Sequence, residues 1–175
     1  DLKFFPDAEL PEELPASTRS GCLKIGAYLV IRKVMKYYRL DDRIGEIVGK
    51  DAGLFLDLAA YSIVTENNAA QHYPDYAYNH PLFTAGMKVY SDSKVSSFLR
   101  DISRSDSIKF QNDWNKSRDH REKIYISYDS TNKHCQAGDI EIAEYGHEKD
   151  KQNKPVFNYA IAYDRNNRLP LFYES

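Results

Sequence analysis

Ile124-Tyr125-Ile126-Ser127-Tyr128-Asp129-Ser130-Thr131-Asn132 is the stretch on which the reading of the fold turns. Ile124, Ile126 and Tyr128 alternate with Tyr125, Ser127 and Asp129, the period-two pattern of a β-strand. The run is apolar or aromatic nearly throughout, which predicts a strand covered on both faces at the centre of a sheet. At Asp129 the character changes to Asp-Ser-Thr-Asn, which predicts a polar turn opening from the buried strand. A carboxylate at such a point is held in place and still reached by solvent or metal.

Further strands lie downstream. Residues 156–163 and 169–173 flank Asp164-Arg165-Asn166-Asn167-Arg168, a polar turn rich in residues that tolerate positive φ. Residues 140–145 form another strand candidate before that hairpin. The expected meander puts strand 124–129 at the centre, paired with 140–145, which pairs in turn with 156–163.

Upstream the periodicity changes from two to three and four. Leu23, Ala27, Val30, Ile31, Val34 and Tyr38 make an apolar stripe on a helix of about four turns that begins near Cys22. Residues 40–48 read as a short helix, with Asp41 or Asp42 near its start and Gly49 as its stop. A third helix spans 51–64, with Leu54, Phe55, Leu58, Ala59 and Ile63 expected to face inward, and Asn67 and Asn68 marking its end. His72, Tyr73, Pro74, Tyr76, Tyr78 and Pro81 predict irregular structure over 69–90 with one helical turn. Ser91 or Ser93 caps a helix carrying Val95, Phe98, Leu99 and Ile102. Ser105 starts another, from 106 to 120, with Ile108, Phe110 and Trp114. Residues 1–20, with Pro6, Pro11 and Pro15 among Glu9, Glu12 and Glu13, read as an extended arm. The fold class is α+β: an arm (1–20), a helical region suited to DNA binding or assembly (21–121), and a sheet (122–175).

Composition narrows the class without naming a function. Of 175 residues, 42% are hydrophobic and 29% charged, ordinary for a chain that buries a core in water. Fourteen tyrosines and eight phenylalanines suit sheet surfaces and amphipathic packing. A net charge of −2 does not announce a nucleic-acid binder, so any such role needs a local cluster of cations. Cys22 and Cys135 lack metal-type spacing and read as free thiols in a reducing cytoplasm. No apolar run approaches about 20 residues, and Asp1-Leu2-Lys3 does not open a signal peptide, so no membrane is expected.

Tyr128-Asp129-Ser130-Thr131-Asn132, Glu144-Tyr145-Gly146-His147-Glu148-Lys149-Asp150, residues 158–164 and Leu169-Pro170-Leu171-Phe172-Tyr173-Glu174 together resemble one family. They are similar to the start of the catalytic domain of bacterial insertion-sequence transposases of the DDE type, whose core is ribonuclease-H-like. The specific match covers about the last third of the chain; upstream the likeness is one of layout. The resemblance implies the opening strands of a ribonuclease-H-like sheet, with Asp129 as the first catalytic aspartate and a ligand of Mg²⁺ or Mn²⁺. In such a core two metals about 4 Å apart serve an in-line phosphoryl transfer and need several carboxylates around them. The family's second aspartate and its glutamate lie beyond Ser175. The resemblance therefore implies a fragment, inactive alone, of a protein that binds the terminal repeats of its element. By the same resemblance the complete protein cuts and joins DNA as a homo-oligomer in a bacterial cytoplasm, at the nucleoid.

Each candidate residue also has a plainer reading. Asp129 can be an aspartate that merely starts a turn. An aspartyl-phosphate hydrolase would present its nucleophile at the same place, but the second acid it carries two residues on is here Thr131. His120, His134 and His147 show no convergent ligand spacing and read as solvated loop histidines. Glu144, Lys149 and Asp150 belong to the family pattern without an assignable role, and Glu174 sits where the family has a strand end. Arg32, Lys33, Lys36, Arg39 and Arg43, interleaved with Tyr37 and Tyr38, form the densest basic patch, with Lys36, Arg39 and Arg43 at helical spacing. They suit DNA phosphates, or else a solvated face with snorkelling stems. The competing class is thus a non-enzymatic helical DNA-binding or assembly module.

Overall fold

The computed structural model describes residues 21–67, 69–118, 124–134, 144–145 and 155–174. Helices α1 (Gly26–Tyr37), α2 (Leu40–Val48), α3 (Ala52–Thr65), α4 (Tyr73–Asn79), α5 (Asp92–Asp101) and α6 (Arg104–Lys116) precede strands β1 (Ile126–His134), β2 (Glu144–Tyr145), β3 (Pro155–Asp164) and β4 (Leu169–Glu174). The class is α+β, with an antiparallel open sheet. The chain forms two compact units that divide between Ser103 and Arg104. Helix α6 thus goes with the sheet, whereas the sequence put the division near residue 121.

The first unit is built on α3. Its sequence is apolar nearly all round, so no stripe is marked, and such a helix belongs in the middle of a core. Leu54, Leu56, Asp57, Ala60 and Tyr61 are buried, while Ile63, expected inside, is exposed. Leu54 and Tyr61 join Tyr73, Tyr76, Ala77, Leu82, Val95 and Phe98 in one cluster. The tyrosines meet by edges and tilts, with Tyr61 and Tyr73 at 6.1 Å between ring centroids and Tyr61 and Tyr76 at 5.5 Å. The Tyr61 hydroxyl donates to Ala69 O at 3.0 Å, which lets a polar ring tip enter the core.

Residues 69–90 hold more helix than their prolines and aromatics predict: α4, and 3-10 turns at Ala70–His72 and Ala85–Met87. Pro74 lies in the first turn of α4, where its missing N–H costs no helical hydrogen bond. Ser91 caps α5, its hydroxyl accepting the Lys94 N–H at 3.3 Å. Gly49, at φ 68°, ends α2 in a conformation that L side chains resist.

The second unit reverses the expected strand order. β1 pairs directly with β3 along its whole length, Ile126 opposite Asp164 and His134 opposite Val156. β4 pairs with β3 from Asp164 to Ala160, and β2 pairs with its start at Pro155 and Val156. The centre is therefore β3, not the strand that carries Asp129. Its small Ala162, fully buried, lies between Tyr128 and Phe172, whose ring centroids are 6.3 Å apart. The aromatic side chains of the outer strands close over the alanine of the inner one.

Side chains of α6 occupy the outer edge of β4. Trp114 Nε1 donates to Pro170 O at 2.7 Å and Asn115 Nδ2 to Leu171 O at 2.9 Å. Gln111 Oε1 accepts the Tyr173 N–H at 3.1 Å. These bonds replace those of a further strand and blunt an edge that would otherwise invite pairing. At the turn after β3, Asp164 accepts the Asn166 and Asn167 amides at 3.0 and 3.2 Å, and Arg168 takes φ 57°. This is the polar turn that the sequence predicts.

Candidate functional site

Asp129 is the fourth residue of β1, which runs for nine residues from Ile126 to His134. The turn expected at Asp129-Ser130-Thr131-Asn132 is instead strand, because each of these residues has a partner on β3: Ile161, Ala160, Tyr159 and Asn158. Pairing with a neighbour overrides the turn propensity of the short polar residues. Nor is β1 covered: residues 125–131 are exposed on both faces, Ile126 at 60%. The expectation of a central strand covered on both sides fails here. Among the described residues, β3 is its sole strand neighbour.

The register fixes which groups share the face of Asp129. Across the sheet it lies in line with Ile161 and then Tyr173. Glu174 pairs with Ala160, one position on, and so falls on the opposite face. There its carboxylate accepts a hydrogen bond from the Tyr128 hydroxyl. That bond pushes the Tyr128 hydroxyl above its ordinary range, with desolvation and the glutamate charge adding to it. Asp129 and Glu174 thus do not converge.

The metal that the resemblance implies needs several donors in one place. Asp129 supplies one exposed carboxylate, and no group of three acids, histidines or cysteines comes together among the described residues. Mg²⁺ gives up its waters reluctantly and is held poorly by a single carboxylate in water. The described donors do not by themselves fit a metal pair. Of the other residues in the family pattern, the Glu144 side chain, Lys149 and Asp150 lie outside the described residues, as do His120, His147 and Cys135 and the side chain of His134. Cys22 is an exposed free thiol.

The basic patch is spread over a corner. Arg32, Lys33 and Lys36 lie on α1, Arg39 sits at φ 52° between the helices, and Arg43 is on α2. The spacing of Lys36, Arg39 and Arg43 therefore does not run along one helix. Lys36 pairs with Asp41 and holds that carboxyl below its ordinary range, and Arg39 Nε meets Asp42 at 3.0 Å. Arg32 and Lys33 remain exposed, on a helix that bears no acid.

On α1 the inward face also differs from the expected stripe. Met35 is its buried residue, with Tyr28, Ile31 and Tyr38 half-buried, while Leu29, Val30, Val34 and Tyr37 are exposed. Tyr28 meets Phe83 at 4.9 Å between ring centroids, which fixes the inward side. Both sides of α1 are apolar, and periodicity alone does not say which is buried.

A groove that the sequence gives no sign of lies between α6 and β4. It encloses about 630 Å³ and is lined by Arg104, Ile108, Asn112, Phe172, Tyr173 and Glu174, among others. No spacing rule brings residues near 110 to residues near 173; the α6–β4 hydrogen bonds do.

Comparison with known proteins finds no matching family model, no matching curated protein and no matching solved structure. Among the described residues, no helix is long and apolar enough to cross a membrane.

Proposed function

We propose that the chain belongs to a DNA strand-cutting and strand-joining enzyme of the DDE transposase type, with Asp129 as one of its catalytic carboxylates. The observation that carries this reading is Asp129 itself: an exposed acid on the first strand of an antiparallel meander, inside the Tyr-Asp-Ser-Thr-Asn stretch on which the resemblance rests. The antiparallel order β1, β3, β4 supports the reading, while the place of β1 at an edge among the described residues, where the resemblance implies a central strand, counts against it. The ladder to β3, which continues along the strand before and after Asp129, would hold its carboxylate in a fixed direction. The chemistry also requires further carboxylates, from residues other than those described.

The test is a substitution in the active protein that contains this chain. With Mg²⁺ or Mn²⁺ and DNA carrying the element's ends, Asp129→Asn should lower cutting and joining by at least about 10²-fold. The isosteric amide should leave the melting temperature of the protein within a few degrees. Undiminished activity of the variant would remove Asp129 from the mechanism.

A second reading rests on the cations of α1. Exposed Arg32 and Lys33, on a helix without acids, support a DNA-binding or assembly role for the helical unit with no catalysis of its own.

A further inference from the structure

We infer that the groove between α6 and β4 is a binding site for an unpaired nucleobase of a single-stranded nucleic acid. Its volume of about 630 Å³ lies within the range of roughly 300–1,000 Å³ in which small-ligand sites fall. Phe172 and Tyr173 line it from β4 and are 39% and 40% exposed; of the two rings, that of Phe172 shares its face of the strand with Glu174 and offers an apolar surface there. A flat heteroaromatic group covers such surfaces by stacking, whatever its sequence. Ile108, half exposed, adds an apolar wall from α6.

The polar groups narrow the class. Asn112 is exposed on α6 and brings a donor and an acceptor in one plane, the pairing that reads the edge of a base. Arg104, at the start of α6, supplies a cation for a phosphate. Glu174 is an acceptor fixed by the Tyr128 hydroxyl and suits the exocyclic amine of a base. An extended peptide would instead seek the backbone edge of β4. That edge is already taken, at Pro170 O, Leu171 O and the Tyr173 N–H, by Trp114, Asn115 and Gln111. The acceptor at Glu174 also predicts a preference: bases with an exocyclic amine, such as cytosine and adenine, over thymine, which has none.

This inference rests on the nucleic-acid reading above but not on Asp129 or on metal. Its test is a titration in EDTA, with short oligodeoxycytidine, oligodeoxyadenosine and oligothymidine as probes. Trp114, the one tryptophan of the chain, lies on α6 beside the groove and gives the fluorescence readout. The cytosine or adenine oligomers should bind at least about fivefold tighter than thymine. Phe172→Ala should weaken binding by about tenfold, in the range found for lost base stacking. Asn112→Asp, an isosteric change at an exposed helix position, should weaken it by a similar factor. An unchanged thermal transition would show that both variants fold. Equal affinity for all three probes, unaltered in both variants, would overturn the groove as the site, as would no binding at all. Because metal-dependent strand cutting has its own test at Asp129, failure here leaves that reading standing.

Discussion

Asp57 is buried on α3, and its carboxylate accepts the Phe83 amide at 2.6 Å and the Thr84 amide and hydroxyl at 3.1 and 2.6 Å. One turn earlier on the same face, Gly53 leaves room for that loop: a Cβ there would stand 2.7 Å from Thr84 Cα. The two residues together seat the loop against the helix. Burial, with the Asp57 charge adding to it, pushes the nearby Tyr76 hydroxyl up to about 12. Removing the acceptor strands buried donors, so Asp57→Ala should cost about 2–4 kcal/mol, read from the urea midpoint of the helical circular dichroism. Asp164 offers a pH test. Its bonds from the Asn167 side chain and the amides of Asn166 and Asn167 hold its carboxyl below the ordinary carboxylate value. A lowered folded value means stability that is present above about pH 4 and lost as pH falls through the folded value. Asp164→Asn should therefore lower the urea midpoint at neutral pH, and the gap should close in acid.

At the scale of elements, the sheet has two unlike edges. β4 is covered by side chains of α6, while β1 shows an exposed Ile126 and Tyr128. If the amide of Gln111 stands in for a strand, its removal should act locally. Gln111→Ala should speed hydrogen exchange at the Tyr173 amide and cost about 1 kcal/mol of stability in the sheet unit. Unchanged exchange at Tyr173 would mean that the edge is protected by burial and not by that bond. The same comparison explains the misread strand. Alternation marked its location, but a run of Tyr and Ile reads alike whether it is covered or left open.

At the scale of the molecule, net charge of −2 conceals a local arrangement. Lys36 and Arg39 are engaged by Asp41 and Asp42, so Arg32 and Lys33 are the cations to change. Replacing both with Glu should weaken duplex binding and lower the slope of log affinity against log salt by about 0.9 for each phosphate no longer neutralised. Identical salt slopes for wild type and variant would return α1 to a solvated face.

Local chemistry was enough to mark several elements. The extent of α2, its stop at Gly49 and the turn at residues 165–168 depend on neighbours in the chain, and the sequence alone determined them; it narrowed the cap of α5 to Ser91 or Ser93. The α+β class follows from the change of period between the helical region and residue 124. Whatever depends on which distant surface arrives was decided only by tertiary structure. The pairing of β1 with β3 extended a strand through residues that favour turns and left Asp129 in its middle. Packing against Phe83 chose Tyr28 over Val30 as inward on α1, and the bonds from Trp114, Asn115 and Gln111 made the groove. An apolar side chain carries no mark of its partner. A strand likewise exposes the same backbone groups on both edges, so only assembly selects which face is buried and which edge is paired.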